Sequence, residues 1–270
     1  MAIKPILFNT PMVQAILDGR KTITRRLLKP RYRDDECGFQ VVTNAQTGEF
    51  VRVEKLSDQG SGQFPDGSER HVHPPYRPGD ILYVRETWQY AYDTDSNENI
   101  DYESGRYLYA ADNIEPFNGW IMPDGTERDS MPWRPSIHMP KAAARIFLRV
   151  TDVRVERLQD IDGEQAYSEG ATADIPGILE QLETHGKPKF PKNFEKFSEA
   201  QKEDWCKSQA TATYIAQMEL ANRLILSFKE IWDSTIKKED LPTYGWDANP
   251  WVWAYRFERC ANPFVEKEET

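Results

Sequence analysis

The chain has 270 residues, with 34 Lys and Arg against 44 Asp and Glu, for a formal net charge of −10. That length can bury a sizeable core as one large domain or two smaller ones. The acidity excludes a general nucleic-acid coat, because phosphate binding scales with the cations a protein presents, but it leaves room for a local basic site.

Patterned segments alternate with polar ones along the chain. In the first, residues 1–33, Thr10-Pro11 predicts a helix N-cap followed by a first-turn proline. Val13, Ile16 and Leu17 then give an apolar helical stripe, and Gly19 is placed to end the helix in the left-handed region. Residues 34–75, rich in Gly, Ser, Asp, Gln and Thr, read as an insert. Pro78-Gly79-Asp80 predicts a turn feeding a strand over 81–86. Residues 93–130 are acidic and read as a long surface insertion, not a second core. Ile146, Leu148 and Val150 alternate, and Val153 and Val155 continue on the opposite parity, which predicts a bulge near Thr151-Asp152.

Asp162 with Gln165 predicts a capped short helix stopped by Gly170. A third insert, 171–197, precedes a long helix with the predicted apolar stripe Tyr214, Met218, Ala221, Ile225 and Phe228. Trp251, Trp253, Tyr255 and Phe257 alternate with Val252, Ala254, Arg256 and Glu258 as a closing strand. Short curved strands mixed with a few helices predict an α+β fold around a small β-barrel. It is read as one domain over 1–260, enlarged by the three inserts and followed by a charged tail at 261–270.

Apolar runs of only a few residues, such as Ile81-Leu82-Tyr83-Val84, predict no membrane-spanning helix. The start, Met-Ala-Ile-Lys-Pro, has no signal-peptide pattern. Cys37, Cys206 and Cys260 are scattered without metal spacing, as expected of a reduced cytoplasm.

The most informative stretch is basic. From Arg20 to Arg33, seven of fourteen residues are Lys or Arg in an otherwise acidic chain, which focuses a positive field suited to an anionic ligand such as a nucleotide. Hydroxyls, a lysine and guanidiniums in close sequence can bind phosphate or activate a nucleophile beside a cation. The plainer explanation is that cations follow a helix C-terminus because the dipole favours them there.

These residues carry a resemblance. The run Ile16-Leu17-Asp18-Gly19-Arg20-Lys21-Thr22-Ile23-Thr24-Arg25-Arg26 resembles the signature of the ASCH domain, a PUA-like β-barrel family linked to RNA and modified nucleosides. Pro78-Gly79-Asp80-Ile81-Leu82, the strand from Val150 to its exit at Ile161, the helix end at Ala166 to Gly170 and the Trp251 to Phe257 strand resemble later family elements in the family's order. The similarity covers less than half the chain. Phe228-Lys229-Glu230-Ile231-Trp232 and the Asn249-Pro250-Trp251 ending resemble longer ASCH-containing proteins of bacteriophages and prophages. That likeness implies a cytoplasmic setting in a bacterial host and, through the inserts, a host protein as partner.

Small bacterial ASCH proteins include amidohydrolases that remove the acetyl group from N4-acetylcytidine with a lysine, a threonine and a glutamate. The resemblance carries these roles to Lys21, Thr24 and Glu169, with Glu164 the nearest competitor for the glutamate. Thr24 would supply the nucleophilic hydroxyl. Lys21 would act as a neutral base or hold the oxyanion, and Glu169 would move the proton. A lysine base needs a depressed pKa, and Arg20, Arg25 and Arg26 are placed to exert that pressure. Arg25 or Arg26 would alternatively hold a ribose phosphate or stack on the base. The alternative function is recognition of RNA, or of a modified nucleoside or nucleotide, without turnover. No cofactor and no metal are expected.

Other residues are candidates for the ligand pocket. Glu86 and Trp88, at the end of a predicted strand, would accept from and stack on a base, or Trp88 would simply cover the core. In the aromatic, Pro-rich run 131–140, Trp133, Arg134 and His138 either line the same pocket or staple the insert down. His71-Val72-His73 lacks the further spacing of a metal site.

Overall fold

The computed structural model describes residues 1–28, 39–43, 50–55, 71–94, 99–112, 120–121, 126–128, 132–172 and 198–264. Its strands and helices are β1 (Ile3–Leu7), α1 (Thr10–Leu17), β2 (Ile23–Leu27), β3 (Phe39–Thr43), β4 (Phe50–Lys55), β5 (His71–Val72), β6 (Ile81–Arg85), β7 (Trp88–Thr94), β8 (Ile100–Tyr109), β9 (Trp120–Ile121), β10 (Glu127–Arg128) and β11 (Phe147–Arg157). After these come α2 (Gly163–Ser168), α3 (Glu199–Ser234), α4 (Leu241–Tyr244) and β12 (Trp251–Cys260). The chain divides into two compact units, Met1–Val155 with Trp253–Thr270, and Glu156–Val252. Of the sequence-predicted features, most of the first and third inserts, with Cys37, and the end of the tail lie outside the described residues, as do residues 29–33 of the basic island.

The fold mixes helices and sheets, as predicted, but the expected barrel is not closed. Among the described residues the main sheet is open, in the order β1-β6-β11-β12-β2, with β1 and β2 at its edges. β1 runs parallel to β6, pairing Ile3 with Ile81 and Leu7 with Arg85. Pro5 sits in the middle of β1 and has no N–H to give a further ladder, which suits an edge strand. What reaches from one edge to the other is a side chain: Arg26 Nη2 donates to the Leu7 carbonyl at 2.6 Å. The core of the sheet is made by Ile6, Leu82, Val84, Leu148, Val150, Trp253, Tyr255 and Phe257, all buried. Removing such an aliphatic side chain from water contributes about 1.5–3 kcal/mol.

Local chemistry explains the elements. The cap of α1 is Asn9 and not Thr10: Asn9 is extended, and its Oδ1 accepts the Met12 N–H at 3.1 Å. Thr10 and Pro11 fall in the first turn. Gly19, at φ +77°, ends the helix in the left-handed region, as the sequence predicts. Asp80, after the turn at Gly79, ties β6 to the chain start. Its carboxylate accepts the Ala2 N–H at 2.9 Å, Lys4 Nζ at 2.8 Å and the Arg77 N–H at 3.1 Å. Burial pushes this carboxyl up, but the three donors outweigh that and hold it below the usual aspartate value. Along β11 the buried residues change parity between Val150 and Val153, as read from the sequence, within one unbroken strand.

The acidic insert is not all surface. Its residues 100–109 form β8, paired antiparallel with β7, and Tyr107 and Tyr109 pack on a core cluster of Ile81, Trp88, Met139, Ala143, Ala144 and Phe147. Aromatic side chains on alternate positions give this polar stretch a buried face that its composition conceals.

In the second unit, α3 begins with a reciprocal cap. Ser198 Oγ accepts the Gln201 N–H, and Gln201 Oε1 accepts the Ser198 N–H. The buried stripe is Leu224, Phe228 and Trp232, one turn apart, while Met218 is 47% exposed. Of the predicted stripe, Phe228 is buried, where it meets Trp232 and Trp246 at 6.3 and 6.2 Å, Ala221 and Ile225 are half-buried, and Met218 is exposed. Gly163 permits close approach of α2 to α3: a Cβ there would lie 2.7 Å from Ala221 Cα.

Candidate functional site

The end of α1 positions the basic segment. The Lys21 N–H donates to the Ala15 carbonyl at 2.9 Å, so the chain turns off the helix and enters β2 at once. β2 then lies beside β12, where the Phe257 N–H donates to the Thr22 carbonyl at 2.9 Å. Lys21, Ile23, Thr24 and Arg25 are all buried. A lysine, a threonine and an arginine buried within five residues is unusual, because long charged side chains are rarely taken fully out of water without a partner. Lys21 Nζ donates to the Ile23 carbonyl at 2.8 Å and stands 5.6 Å from the centre of the Phe8 ring.

Around Lys21 the structure adds groups that sequence reasoning missed. The Arg26 guanidinium lies over the same Phe8 ring, 5.1 Å from its centre, so two cations meet one aromatic ring. Tyr76 and the fully buried Tyr255 meet edge-on at 5.1 Å, and Tyr76 Oη donates to the Pro5 carbonyl at 2.8 Å. Burial pushes both phenols above their usual value, while the charge of Arg26 pulls each back down. The open edges β1 and β2 thus meet in a cluster of aromatic rings and cations within the first unit. Tyr255 was legible only as a core residue of the closing strand. Phe8 and Tyr76 had no signal, since their role follows from where β1 and the turn before β6 arrive.

The other predicted residues belong to several elements. Arg20 is half-buried and ion-paired with Asp18 at 3.2 Å, while Arg25 is buried within β2. Glu169 belongs to the second unit, where it caps the C-terminus of α2 and is only 3% exposed. Its N–H bonds back to the Gln165 and Ala166 carbonyls, and Gly170 at φ +95° ends the helix, as predicted. Glu164 instead lines a groove of about 480 Å³ between α2 and α3, with Tyr167, Leu220 and Leu224.

Glu86 is buried, and both of its oxygens are engaged. Arg145 donates to Oε1 from Nε and to Oε2 from Nη2, each at 3.0 Å, and reaches Asp112 at 2.8 Å. Burial pushes the Glu86 carboxyl up against the pull of Arg145. The guanidinium also covers the Tyr109 ring at 3.8 Å, and burial raises that phenol to about 12. Trp88 lies in the core cluster, and its backbone exchanges two hydrogen bonds with Arg134, at 3.1 and 2.8 Å. The Pro-rich run is stapled down by Arg85 Nε to the Met139 carbonyl at 2.9 Å and by Gln89 Nε2 to the Pro132 carbonyl at 2.6 Å. Trp133 is half-buried along it and His138 is exposed.

Among the described residues no three metal-ligating side chains cluster, and no helix is long and apolar enough to cross a membrane. Cys260 is a free, half-buried thiol whose pKa is raised by burial. No protein-family model, curated protein or solved structure matches the chain, so the site is read from its own residues.

Proposed function

We propose that the protein is an ASCH-type hydrolase of the PUA-like class, acting on the amide of a modified nucleoside such as N4-acetylcytidine. The observation that carries this reading is the burial of Lys21 and Thr24 in one lead-in and strand, with the lysine on a carbonyl oxygen and a π face. Glu169 adds support as a carboxylate buried at the end of α2, the residue type and position to which the resemblance gives the proton-carrying role.

In this mechanism the Thr24 hydroxyl attacks the acyl carbon and forms its C–O bond as the carbonyl π electrons move to oxygen. A general base takes the hydroxyl proton, the role that the resemblance gives to Glu169, and Lys21, as ammonium, holds the oxyanion. Collapse breaks the C–N bond and the leaving amine takes the proton from that base. Water then cleaves the Thr24 ester, releasing acetate and restoring the hydroxyl. Arg26, Phe8 and Tyr76 supply the planar and cationic surface against which a base or ribose phosphate rests. That aromatic–cation cluster also favours the second reading, a binding protein for a modified nucleotide or RNA without turnover.

Purified protein given N4-acetylcytidine is expected to release cytidine and acetate, and Thr24→Val to lower turnover by about 10³-fold with the unfolding midpoint kept. Stoichiometric binding without product supports the second reading. Neither binding nor release across a panel of N-acylated nucleosides removes both.

A further inference from the structure

The acidic insert carries a row of aromatic rings that the hydrolase reading does not use. Trp88, Tyr90 and Tyr92 share one face of β7 by the two-residue period, and Tyr107 stands opposite Tyr90 on β8. Ring contacts run from Trp88 to Tyr107 at 5.8 Å, Tyr107 to Tyr90 at 4.8 Å, Tyr90 to Tyr92 at 5.3 Å and Tyr92 to Tyr102 at 5.2 Å. Exposure climbs along this row, from 5% at Trp88 through 37% and 39% at Tyr90 and Tyr92 to 67% at Tyr102. One end is anchored in the core and the other stands open. The last three contacts are edge-to-face, at 64–85°, so ring faces are presented outward between neighbours. Gly105 gives Tyr90 its place: a Cβ there would lie 2.5 Å from the phenol oxygen.

The charge around the row selects its partner. Residues 93–130 hold ten carboxylates against two arginines, so this insert carries eight of the chain's ten net negative charges. On the ribbon itself Arg106 is taken by Asp93 at 2.8 Å, and Asp101 and Glu103 are exposed beside Tyr102. A field of that sign repels phosphates, which counts against single-stranded nucleic acid despite the stacking surface. It attracts cations, and among these arginine fits best, because its planar guanidinium stacks on a tyrosine face while its edge pairs with carboxylates. We infer that the β7–β8 ribbon is a docking surface for an extended, arginine-bearing segment of a protein partner, its guanidiniums stacking on Tyr90, Tyr92 and Tyr102 and pairing with Asp101 and Glu103.

The test uses the whole chain and a fluorescein-labelled Arg-Ser repeat peptide, followed by anisotropy across a salt series. Binding is expected to weaken with salt, to fall about tenfold in Tyr92→Ala/Tyr102→Ala and by a similar factor in Glu103→Lys, and to be several-fold weaker for the Lys-Ser peptide. Both altered tyrosines are exposed, so the variant's unfolding midpoint should match the wild type. No binding of the arginine peptide, equal binding by the tyrosine variant, or tighter binding of an oligouridine strand would each overturn the assignment.

Discussion

Two clusters of buried charge in the first unit are built on opposite principles. At Glu86, Arg145 and Asp112 the charges neutralise one another, with the guanidinium fork filled by two carboxylates and its face laid on Tyr109. At the β1 and β2 edges, Lys21 and Arg26 instead meet carbonyl oxygens and the Phe8 ring. Opposite charges in contact close a site, because each satisfies what burial took from the other. Carbonyl dipoles and a π face contribute to what holds Lys21 and Arg26. By this comparison the Glu86 node serves the fold, although sequence reading placed Glu86 in the ligand pocket, and the edge cluster holds the aromatic and cationic groups that the proposed function uses.

The comparison breaks first at Arg145. Arg145→Met leaves Glu86 buried without its partner and is expected to cost about 3 kcal/mol in urea unfolding, with any nucleoside affinity measured on the folded protein unchanged. A loss under about 1 kcal/mol would show that the node does not hold the fold. Arg26→Met is expected to cost only about 1 kcal/mol, because the residue is only half-buried, while nucleoside binding falls by about tenfold or more. A cost as large as that at Arg145 would make both clusters structural.

The smallest effect is a pH slope. A carboxyl raised by burial binds more protons folded than unfolded, so its contribution to stability is full below the ordinary glutamate value and is lost as pH rises through the folded one. Urea midpoints from acid to neutral pH are therefore expected to fall for the wild type relative to Glu86→Gln. A difference that rises with pH instead would mean that Arg145 outweighs burial.

What was legible in the chain was what neighbours along it decide. Gly19, Gly170 and the Asp162 cap follow from local backbone needs, and Trp253 to Phe257 announced a buried strand by alternation. The basic signature pointed to Lys21 and Thr24, both of which the fold buries. Of the stripe read along α3, Phe228 is buried and Met218 exposed, because the partners that cover such a stripe, Trp246 among them, are not written in the helix itself. The barrel was over-read because period and turn signals do not say whether two edge strands will pair.

Sequence alone thus determined the caps, turns and strand periods, the acidic balance and the basic segment at the end of α1, since all of these rest on steric and electrostatic rules acting over a few residues. Tertiary structure alone decided the companions. Arg145 reaches Glu86 from 59 residues away, Tyr76 reaches the Pro5 carbonyl from 71, and Tyr90 finds its place on Gly105 across a strand pair. Such partners are chosen by packing, which brings groups together according to shape and burial and leaves no local pattern in the chain.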